Sequence, residues 1–320
     1  MCIFLIFGFC TKNNLCFILY CVTKILFVIF ELERSLTNSI CVLTYLKYFF
    51  LISGLTSRYC SSKIPQFETL AVSVPKKHVF HVEMNRPKQL NTFTMTMWQE
   101  LNDCFSSLSD NSECRVIVIS GRGKHFTGGI DLKSLLEEES KFADVDDVGR
   151  KARISKCFQN GITALEDCVK PVLAVVHSAC VGAGVDLITA ADMRYCTEDS
   201  WFQVKEVDVG LAADVGTLQR LPKVVGNTST VRELCYTARK VHSKEALELG
   251  LVTRIYPDRD LAIKEVLQIA ETIAKKSPIA VQNSKINMVY SQSRPNKDGL
   301  YHITILQSLH LINSQFYLVK

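Results

Sequence analysis

Three carboxylates in apolar surroundings are the residues of this sequence best suited to chemistry. Asp186 follows a Gly-Ala-Gly-Val run, Glu206 lies four residues after Phe202, and Asp214 lies between an alanine and a valine. Carboxylates are seldom buried without a partner, and loss of water raises their pKa towards the range that is useful for proton transfer. The pattern therefore predicts general acid-base chemistry, although each acid taken alone could be a helix cap or a surface residue.

Two glycine turns could supply the complementary chemistry. Thr127-Gly128-Gly129 and Gly182-Ala183-Gly184 each lie between a predicted strand and a predicted helix. Neither has the G-x-G-x-x-G spacing of a dinucleotide site, and the chain has no Walker-type phosphate loop. Such turns expose backbone N–H groups, and two of them aimed at one point would stabilise an oxyanion. The alternative is that the glycines only permit tight turns.

Other polar residues favour structural roles. We expect Asp192 to contact Arg194 or a backbone amide, and Asp131 resembles a helix cap. His177 lies within an apolar strand, so we expect a core position for it. No Ser/His/Asp or Cys/His signature occurs locally, and nucleophilic catalysis therefore finds little support.

Strands and helices alternate around these candidates. An alternating pattern over residues 67–84 predicts an antiparallel hairpin. Further strands are predicted at 115–120, 171–177 and 193–196, with helical patterns near 98–108, 152–167 and 185–191. After Thr217 the pattern is helical to the end, with Asn227 and Ser243 as expected N-caps. One apolar stripe of this helical part consists of Ala262, Val266, Ile269, Ala270 and Ile273.

Composition and charge exclude several classes of protein. The 320 residues are 48% hydrophobic and 22% charged, which excludes disorder, collagen and coiled coil. The net charge is +5, of which +3 belongs to residues 1–60 and only +2 to the rest. Because a nearly neutral body lacks a phosphate-binding footprint, we expect no nucleic-acid partner.

The 13 cysteines also divide unevenly. Six lie in residues 1–60, and the other seven show no C-x-x-C and no paired Cys/His spacing. This pattern argues against a zinc site and against a disulfide framework, so we expect no metal and we expect reduced, buried thiols.

Residues 1–61 form a separate hydrophobic segment. The apolar runs 15–30 and 40–53 are each shorter than the roughly 20 residues of a spanning helix, and each carries a lysine. Only residues 55–62 have the Arg- and Ser-containing character of an import segment. An import segment, a membrane anchor within 15–53 and a mis-assigned start of the chain all stay open, and a membrane partner is expected only for the anchor.

From about Phe67 to about Ser308, the chain resembles the enoyl-CoA hydratase/isomerase (crotonase) superfamily. The motifs that carry the resemblance are Met84-Asn-Arg-Pro-Lys88, Phe126-Thr-Gly-Gly-Ile-Asp131, Gly182-Ala-Gly-Val-Asp186, Phe202 with Glu206 and Gly210, Thr217-Leu-Gln-Arg-Leu-Pro222 and Ala246-Leu-Glu-Leu-Gly-Leu-Val252. The resemblance implies an α/β fold, a crotonase-like spiral of ββα turns over residues 62–260. It also implies a helical C-terminal trimerisation region over 261–320, and we expect this region to stop short of the family's last helix.

The resemblance further implies a site for an acyl-CoA thioester. The amides of Gly128 and Ala183 would hold the thioester oxygen, and the protein would form a homo-oligomer, a trimer or a hexamer. No cofactor is implied, since the thioester and the oxyanion hole supply the acidity. The residues expected to contact the substrate are Phe126, Thr127, Gly129, Ile130, Asp131 and Gly184.

The residue set narrows the reaction. Asp186, Glu206 and Asp214, within the segment 202–222, resemble the dienoyl-CoA isomerase branch, whereas typical hydratases have glutamate at 186 and Pro-Gly at 213–214. This resemblance implies isomerisation of 3,5-dienoyl-CoA to 2,4-dienoyl-CoA in unsaturated fatty-acid β-oxidation, with Glu206 and Asp214 as the acid/base pair and Asp186 as their support. A 2-enoyl-CoA hydratase and a non-catalytic crotonase-fold protein are the alternatives. We expect a mitochondrial location, with a peroxisomal one as the alternative despite the absence of a C-terminal Ser-Lys-Leu.

Overall fold

A computed structural model of the protein describes residues 66–140 and 148–315. The predicted hydrophobic segment 1–61, including the anchor alternative within 15–53, lies outside the described residues. The strands are β1 Leu70–Lys76, β2 Val79–Met84, β3 Val116–Gly121, β4 Val172–Val176, β5 Ala179–Val181, β6 Met193–Thr197, β7 Trp201–Gln203, β8 Val241–His242 and β9 Arg254–Tyr256. The helices are α1 Met95–Asp110, α2 Leu132–Ser140, α3 Val148–Asp167, α4 Ala183–Ala190, α5 Thr217–Val225, α6 Thr228–Thr237, α7 Ser243–Glu248, α8 Arg259–Ala274, α9 Pro278–Ser291 and α10 Asn296–Gln315.

A six-stranded sheet forms the centre, in the order β1-β2-β3-β4-β6-β9. Strands β1 and β2 are antiparallel, with Leu70 opposite Met84, and the predicted hairpin is confirmed. The other neighbours in this sheet pair in parallel, which requires a crossover after each strand. Parallel strands with both faces covered consist of continuous apolar runs, and the six residues of β3 are all buried.

A second, smaller sheet has the order β5-β7-β8. Strand β5 runs parallel to β7, with Val181 opposite Gln203. Strand β8 is antiparallel to β7 and has only two residues. This sheet begins three residues after β4 ends, so the chain bends out of the central sheet at His177-Ser178 and carries the second glycine turn with it.

Helix α1 shows how the local sequence produces a core element. Thr94 accepts a hydrogen bond from the Met97 amide at the N-terminus. Trp98 and five other residues of the helix are buried at the spacing of one helical face. The Trp98 ring packs 4.6 Å from the ring of Phe93 and 4.9 Å from that of Phe158 in α3, which joins the two helices.

Helix α8 covers the opposite side of the central sheet. Its predicted stripe is confirmed, because Ala262, Val266 and Ala270 are completely buried, while Ile269 and Ile273 are partly buried in the same cluster. The cluster includes β-strand residues such as Val118 and Val175. The expected boundary between residues 260 and 261 therefore falls inside a helix that belongs to the sheet layer.

Two predictions for the C-terminal part are wrong. The pattern after Thr217 was expected to be wholly helical, but β8 and β9 lie there, and strands of two and three residues are too short to give a periodic signal. Ser243 is the first residue of α7 and not its N-cap, which is His242; the Ser243 hydroxyl instead donates to the Glu198 carbonyl at 2.8 Å. The N-cap at Asn227 is confirmed, since its side chain accepts from the amides of Ser229 and Thr230.

Within the described residues, no helix is both long enough and apolar enough to cross a membrane. The seven cysteines described are free, as expected: six are buried, and Cys157 is half-buried.

Candidate active site

The site lies where the small sheet meets the N-terminus of α4. Gly182, with a φ of +51°, precedes this helix, and its amide donates to the Gln203 carbonyl at 2.9 Å. This bond extends the pairing of β5 with β7, and Glu206 follows β7 within a short 3-10 turn. A Cβ on Gly182 would lie 3.3 Å from Oε1 of Glu206. The sheet therefore places the Glu206 carboxyl against the start of α4.

The amide of Ala183 is the first of that helix. Gly182 has no side chain to cap the helix, and the first N–H groups of any α-helix lack acceptors within it. The helix dipole adds positive partial charge at the same point. The sequence-predicted donor Ala183 and the sequence-predicted acid Glu206 are thus brought together.

Asp186 lies one turn further into α4 and is completely buried. Its Oδ1 accepts a hydrogen bond of 2.5 Å from the backbone amide of Thr217, the first residue of α5. Its Oδ2 and the Oε2 of Glu206 are buried without a hydrogen-bond partner among the described residues. Each acid therefore keeps one oxygen available for a proton.

Burial dominates the electrostatics of these two acids. It raises the pKa of Asp186 to about 6, against the opposing effect of the Thr217 hydrogen bonds. It raises the pKa of Glu206 to about 7, and the neighbouring charge of Asp186 adds to the shift. A pKa near 7 suits a group that exchanges protons at neutral pH.

Asp214 differs from the other two acids. Its side chain is exposed, while the neighbours Ala213 and Val215 are buried. The hydroxyl of Ser155 in α3 donates to Oδ2 of Asp214 at 3.4 Å, and Gln159 donates to the Asp214 carbonyl at 2.9 Å. The charge of Asp214 raises the pKa of both Asp186 and Glu206, so the three acids form one electrostatic group.

The first glycine turn packs directly against the second. Thr127 forms a parallel bridge with Cys180, and a Cβ on Gly129, whose φ is +92°, would lie 2.9 Å from the Val181 carbonyl oxygen. Only glycine accommodates both the positive φ and this close approach. The structure therefore brings together the segments of Gly128 and Ala183, as expected for two amides that serve one ligand.

The amide of Gly128 already has an acceptor. It donates to the Leu90 carbonyl at 2.8 Å. Leu90 and Asn91 have φ values of +53° and +52°, a conformation that is costly for residues other than glycine. The role of Gly128 as an oxyanion donor stays a prediction, and a ligand that uses this amide must replace or share the bond to Leu90.

The remaining residues of the first turn support the turn from within. Phe126 and Thr127 are completely buried, and Gly129 and Gly184 are buried as well, while Ile130 is half-buried. The Asp131 carboxylate caps α2 by accepting from the Ser134 amide, and it also contacts Thr92 and Arg86. Contact of these residues with a substrate stays a prediction, and for Phe126 and Thr127 it would involve the main chain.

Residues that the sequence did not single out also shape the site. Arg220 of α5 forms an ion pair of 2.7 Å with Glu166 of α3, donates to the Val215 carbonyl and lowers the pKa of Asp186. A Cβ on Gly216 would overlap the Arg220 guanidinium. No local signal could identify the ion pair of Arg220 with Glu166, because the two residues lie 54 positions apart.

Three structural expectations are confirmed. Asp192 accepts from the Val172 amide at 2.7 Å, Asp131 caps a helix, and His177 is buried with Nε2 3.0 Å from the Gly123 carbonyl. Among the described residues, no group of three or more His, Cys, Asp or Glu side chains is arranged to bind a metal ion. A cavity of about 260 Å³ between α1 and α3 contains none of the candidate residues.

Comparisons with known proteins identify the family of this chain. The model of the enoyl-CoA hydratase/isomerase family matches residues 75–309. The chain is 46% identical to the mitochondrial Δ3,5-Δ2,4-dienoyl-CoA isomerase of Rattus norvegicus, over 81% of this chain and 84% of the rat protein. It is 43% identical to the peroxisomal Δ3,5-Δ2,4-dienoyl-CoA isomerase of Arabidopsis thaliana, over 73% and 86% of the two chains.

A solved structure confirms the predicted fold class. The enoyl-CoA hydratase of Bacillus anthracis superposes with a TM-score of 0.68 at 26% identity, over 75% of this chain and 90% of that one. The crotonase-like fold and the family resemblance are both confirmed. This chain belongs to the enoyl-CoA hydratase/isomerase family.

Proposed function

We propose that this protein is an enzyme that isomerises 3,5-dienoyl-CoA to 2,4-dienoyl-CoA in the β-oxidation of unsaturated fatty acids. The observation that carries the proposal is the group of three acids beside the N-terminus of α4, in a chain 46% identical to a protein named for this reaction. A hydratase adds water across two adjacent carbons, whereas this isomerisation exchanges protons at C2 and C6. A group of acids in which more than one member exchanges protons suits the second reaction.

The reaction moves two double bonds by one position each. A base removes a proton from C2, the electrons spread through a dienolate, and an acid adds a proton at C6, so no atoms are gained or lost. The dienolate oxygen carries negative charge and would be held by backbone amides, with Ala183 at the helix N-terminus as one donor.

Glu206 and Asp214 are our proposed acid/base pair. Glu206, with its raised pKa near 7, can accept or donate a proton at neutral pH at little cost. Asp214 is exposed beside the same group. Either residue could take the C2 proton. Asp186 is completely buried, and its charge supports the raised pKa of Glu206.

The deciding experiment supplies the purified protein with a 3,5-dienoyl-CoA and with a 2-enoyl-CoA. Appearance of the conjugated 2,4-dienoyl thioester absorbance supports isomerisation, whereas loss of the 2-enoyl absorbance as the main activity would establish a hydratase. Absence of both activities, together with RNA binding that weakens with salt, would favour the non-catalytic alternative. The proposal includes no cofactor, and turnover should therefore be unchanged by a chelator and by dialysis.

Asp214→Asn should remove turnover and retain acyl-CoA binding. The substitution keeps the size of the side chain and removes its capacity to exchange a proton, so we expect kcat to fall by about 100-fold to 10,000-fold. The matched control is Asp208→Asn. Asp208 is an exposed aspartate six residues before Asp214, and its described side-chain contact is the ion pair with Lys205. Full activity of Asp214→Asn would contradict the assignment.

We also propose an acyl-CoA ligand, assembly into a trimer or hexamer, and a mitochondrial location, with a peroxisomal location as the alternative. The names of the rat and Arabidopsis relatives support the two locations. Native mass spectrometry measures the assembly, and imaging of the tagged full-length chain identifies the compartment.

A further inference from the structure

Thr127 touches every segment that forms the predicted oxyanion site. It lies between the Leu90-Asn91 turn, the Gly128-Gly129 turn and the start of α4. From these contacts we infer that Thr127 is a positioning residue, which fixes the amides of Gly128 and Ala183 relative to each other. The inference rests on the proposed function, in which these amides hold the thioester oxygen.

The hydroxyl of Thr127 joins two of the segments. Its Oγ1 donates to the Asn91 carbonyl at 2.7 Å and accepts from the Gly129 amide at 3.1 Å. Thr127 is completely buried, so water has no access with which to replace either bond. A buried hydroxyl with both its donor and acceptor functions used sets the distance between the two turns.

The main chain of Thr127 extends this connection to the small sheet. Its amide donates to the Ala179 carbonyl at 3.0 Å, and its carbonyl accepts from the Val181 amide at 3.3 Å. Both bonds act on β5, the strand that leads directly into Gly182 and Ala183. The first glycine turn is thus paired with the strand that carries the second.

The methyl group of Thr127 provides the third contact. It packs against the backbone of Gly184, where a Cβ would lie 2.4 Å from Cγ2 of Thr127. Gly184 follows Ala183 in the first turn of α4. The methyl group of Thr127 therefore fixes the position of the Ala183 amide, and its hydroxyl fixes the position of the Gly128-Gly129 turn.

This arrangement matters because the two amides come from distant parts of the chain. Donors stabilise a developing oxyanion only when both are already placed for it, and displacement by about 1 Å can cost about 100-fold in rate. The Thr127 side chain bonds to the Gly129 amide of the first glycine turn and packs against Gly184 of the second. It acts through the amides and does not itself touch the reacting atoms.

The test compares Thr127→Val with Thr127→Ser in the full-length protein. Valine keeps the shape and the methyl contact but loses both hydrogen bonds of Oγ1, while serine keeps those bonds. Two readouts are used: kcat against KM for the 3,5-dienoyl-CoA, and the red shift of the 2,4-dienoyl-CoA absorbance on binding, which reports polarisation of the thioester carbonyl. We expect Thr127→Val to lower kcat by about 10-fold to 100-fold with little change in KM and to reduce the red shift. Thr127→Ser keeps both bonds of Oγ1 but loses the methyl contact with Gly184, so we expect a smaller loss of kcat and of the red shift than in Thr127→Val.

The matched control is Thr69→Val. Thr69 is also buried, and its hydroxyl donates to Glu100 of α1, away from the site. This variant should lower thermal stability without changing the red shift. A red shift of wild-type size in Thr127→Val would overturn the inference, and so would a loss in Thr127→Ser as large as that in Thr127→Val. If the valine variant does not fold, the serine variant decides: a red shift that is mostly retained supports the inference, whereas its complete loss despite the retained bonds of Oγ1 overturns it.

The two proposals can fail separately. Wild-type protein that does not turn over the 3,5-dienoyl-CoA, but polarises the bound 2,4-dienoyl-CoA in a manner that depends on the Thr127 hydroxyl, would refute the proposed function and support the positioning role. Wild-type protein that isomerises its substrate while the bound carbonyl shows no red shift would refute the positioning role alone.

Discussion

At the scale of single residues, two of the three candidate acids share one environment. Asp186 and Glu206 are desolvated together, and the charge of Asp186 makes a second charge on Glu206 harder to form. Such a pair keeps a proton at neutral pH where an exposed carboxyl would not. Because the folded chain binds this proton more tightly than the unfolded chain does, the raised pKa lowers the free energy of unfolding at neutral pH.

Glu206→Gln should change the pH dependence of stability in a defined direction. Burial raises the pKa of Glu206 from 4.5 to about 7. Below pH 4.5 the carboxyl is protonated in both the folded and the unfolded chain. Between pH 4.5 and 7 the unfolded chain releases the proton and the folded chain keeps it, so the stability of the wild type falls as pH rises.

The glutamine variant does not have this loss. Relative to wild type, it should gain about 2 kcal/mol between pH 4.5 and pH 8, after allowance for partial solvent screening. Denaturant unfolding across this pH range measures the difference, and Glu248→Gln, at an exposed position of α7, is the control. A difference that does not vary with pH would show that the folded protein does not perturb Glu206.

Gly184→Ala should be harmful for a steric reason that a second substitution can relieve. The new Cβ would lie 2.4 Å from Cγ2 of Thr127 and 3.1 Å from Sγ of Cys180. We expect a loss of about 1–3 kcal/mol in stability, as for other overpacked cores. Thr127→Ser removes the nearer methyl group, and the double variant should therefore be more stable than Gly184→Ala alone. Strict additivity in thermal unfolding would contradict this contact.

At the scale of elements, Lys285 connects helix α9 to the core through buried polar contacts. Lys285 is the buried residue of α9. Its Nζ donates to the carbonyls of Leu165 and Lys170 and lies 2.8 Å from Oδ2 of Asp192. These acceptors belong to the end of α3 and to the approaches of β4 and β6. The amphipathic pattern expected of a docked helix is here replaced by three charge-assisted bonds.

Lys285→Met should destabilise the protein by about 3 kcal/mol. Methionine fills a similar volume but leaves a carboxylate and two carbonyls without their buried donor. Lys275→Met is the control, because Lys275 is exposed and its ion pair with Glu271 is worth little. Chemical denaturation of both variants measures the difference, and equal effects would indicate that the Lys285 cluster contributes no more than a surface pair.

The elements with strong periodicity were predictable from the sequence, and the shortest elements were not. The hairpin over 67–84, helix α1 and strand β3 have long apolar patterns, and each appears within a few residues of its expected place. Strands β8 and β9 exist because partners in β7 and β6 are available, which is information that no local window contains.

In the candidate site too, features with a local sequence pattern were predictable and features that depend on distant residues were not. Ala183, Glu206 and Asp186 could be predicted because glycine turns and acids in apolar runs are local features. The apolar neighbours of Asp214 left both a buried and a surface position open, and a turn at 214–216 leaves its carboxylate exposed between two buried neighbours. The contacts of Thr217 and Thr127 depend on residues more than 30 positions away and had no local signal.

At the scale of the whole molecule, the described cysteines should be protected by the fold. Burial raises the pKa of Cys196 to about 12 and raises the pKa of the Cys157 and Cys180 thiols as well. The thiolate is the reactive form, so buried thiols react slowly. In the native protein, iodoacetamide should modify the half-buried Cys157 well before the six buried cysteines.

Peptide mapping by mass spectrometry measures this order, and denaturation should make all seven reactive. Modification of Cys180 at the rate of Cys157 in native protein would indicate that the region around the small sheet opens readily.

If the Gly128 amide is the oxyanion donor that we propose, its bond to the Leu90 carbonyl makes ligand entry an exchange of hydrogen-bond partners. A neutral thioester oxygen is an acceptor comparable to a peptide carbonyl, so replacing Leu90 by substrate would yield little net affinity at this amide. An enolate oxygen is a far stronger acceptor and would compete decisively for the same proton. In that role the Leu90 carbonyl would be an internal competitor, which would withhold the stabilisation of this amide from the bound substrate and release it when negative charge develops.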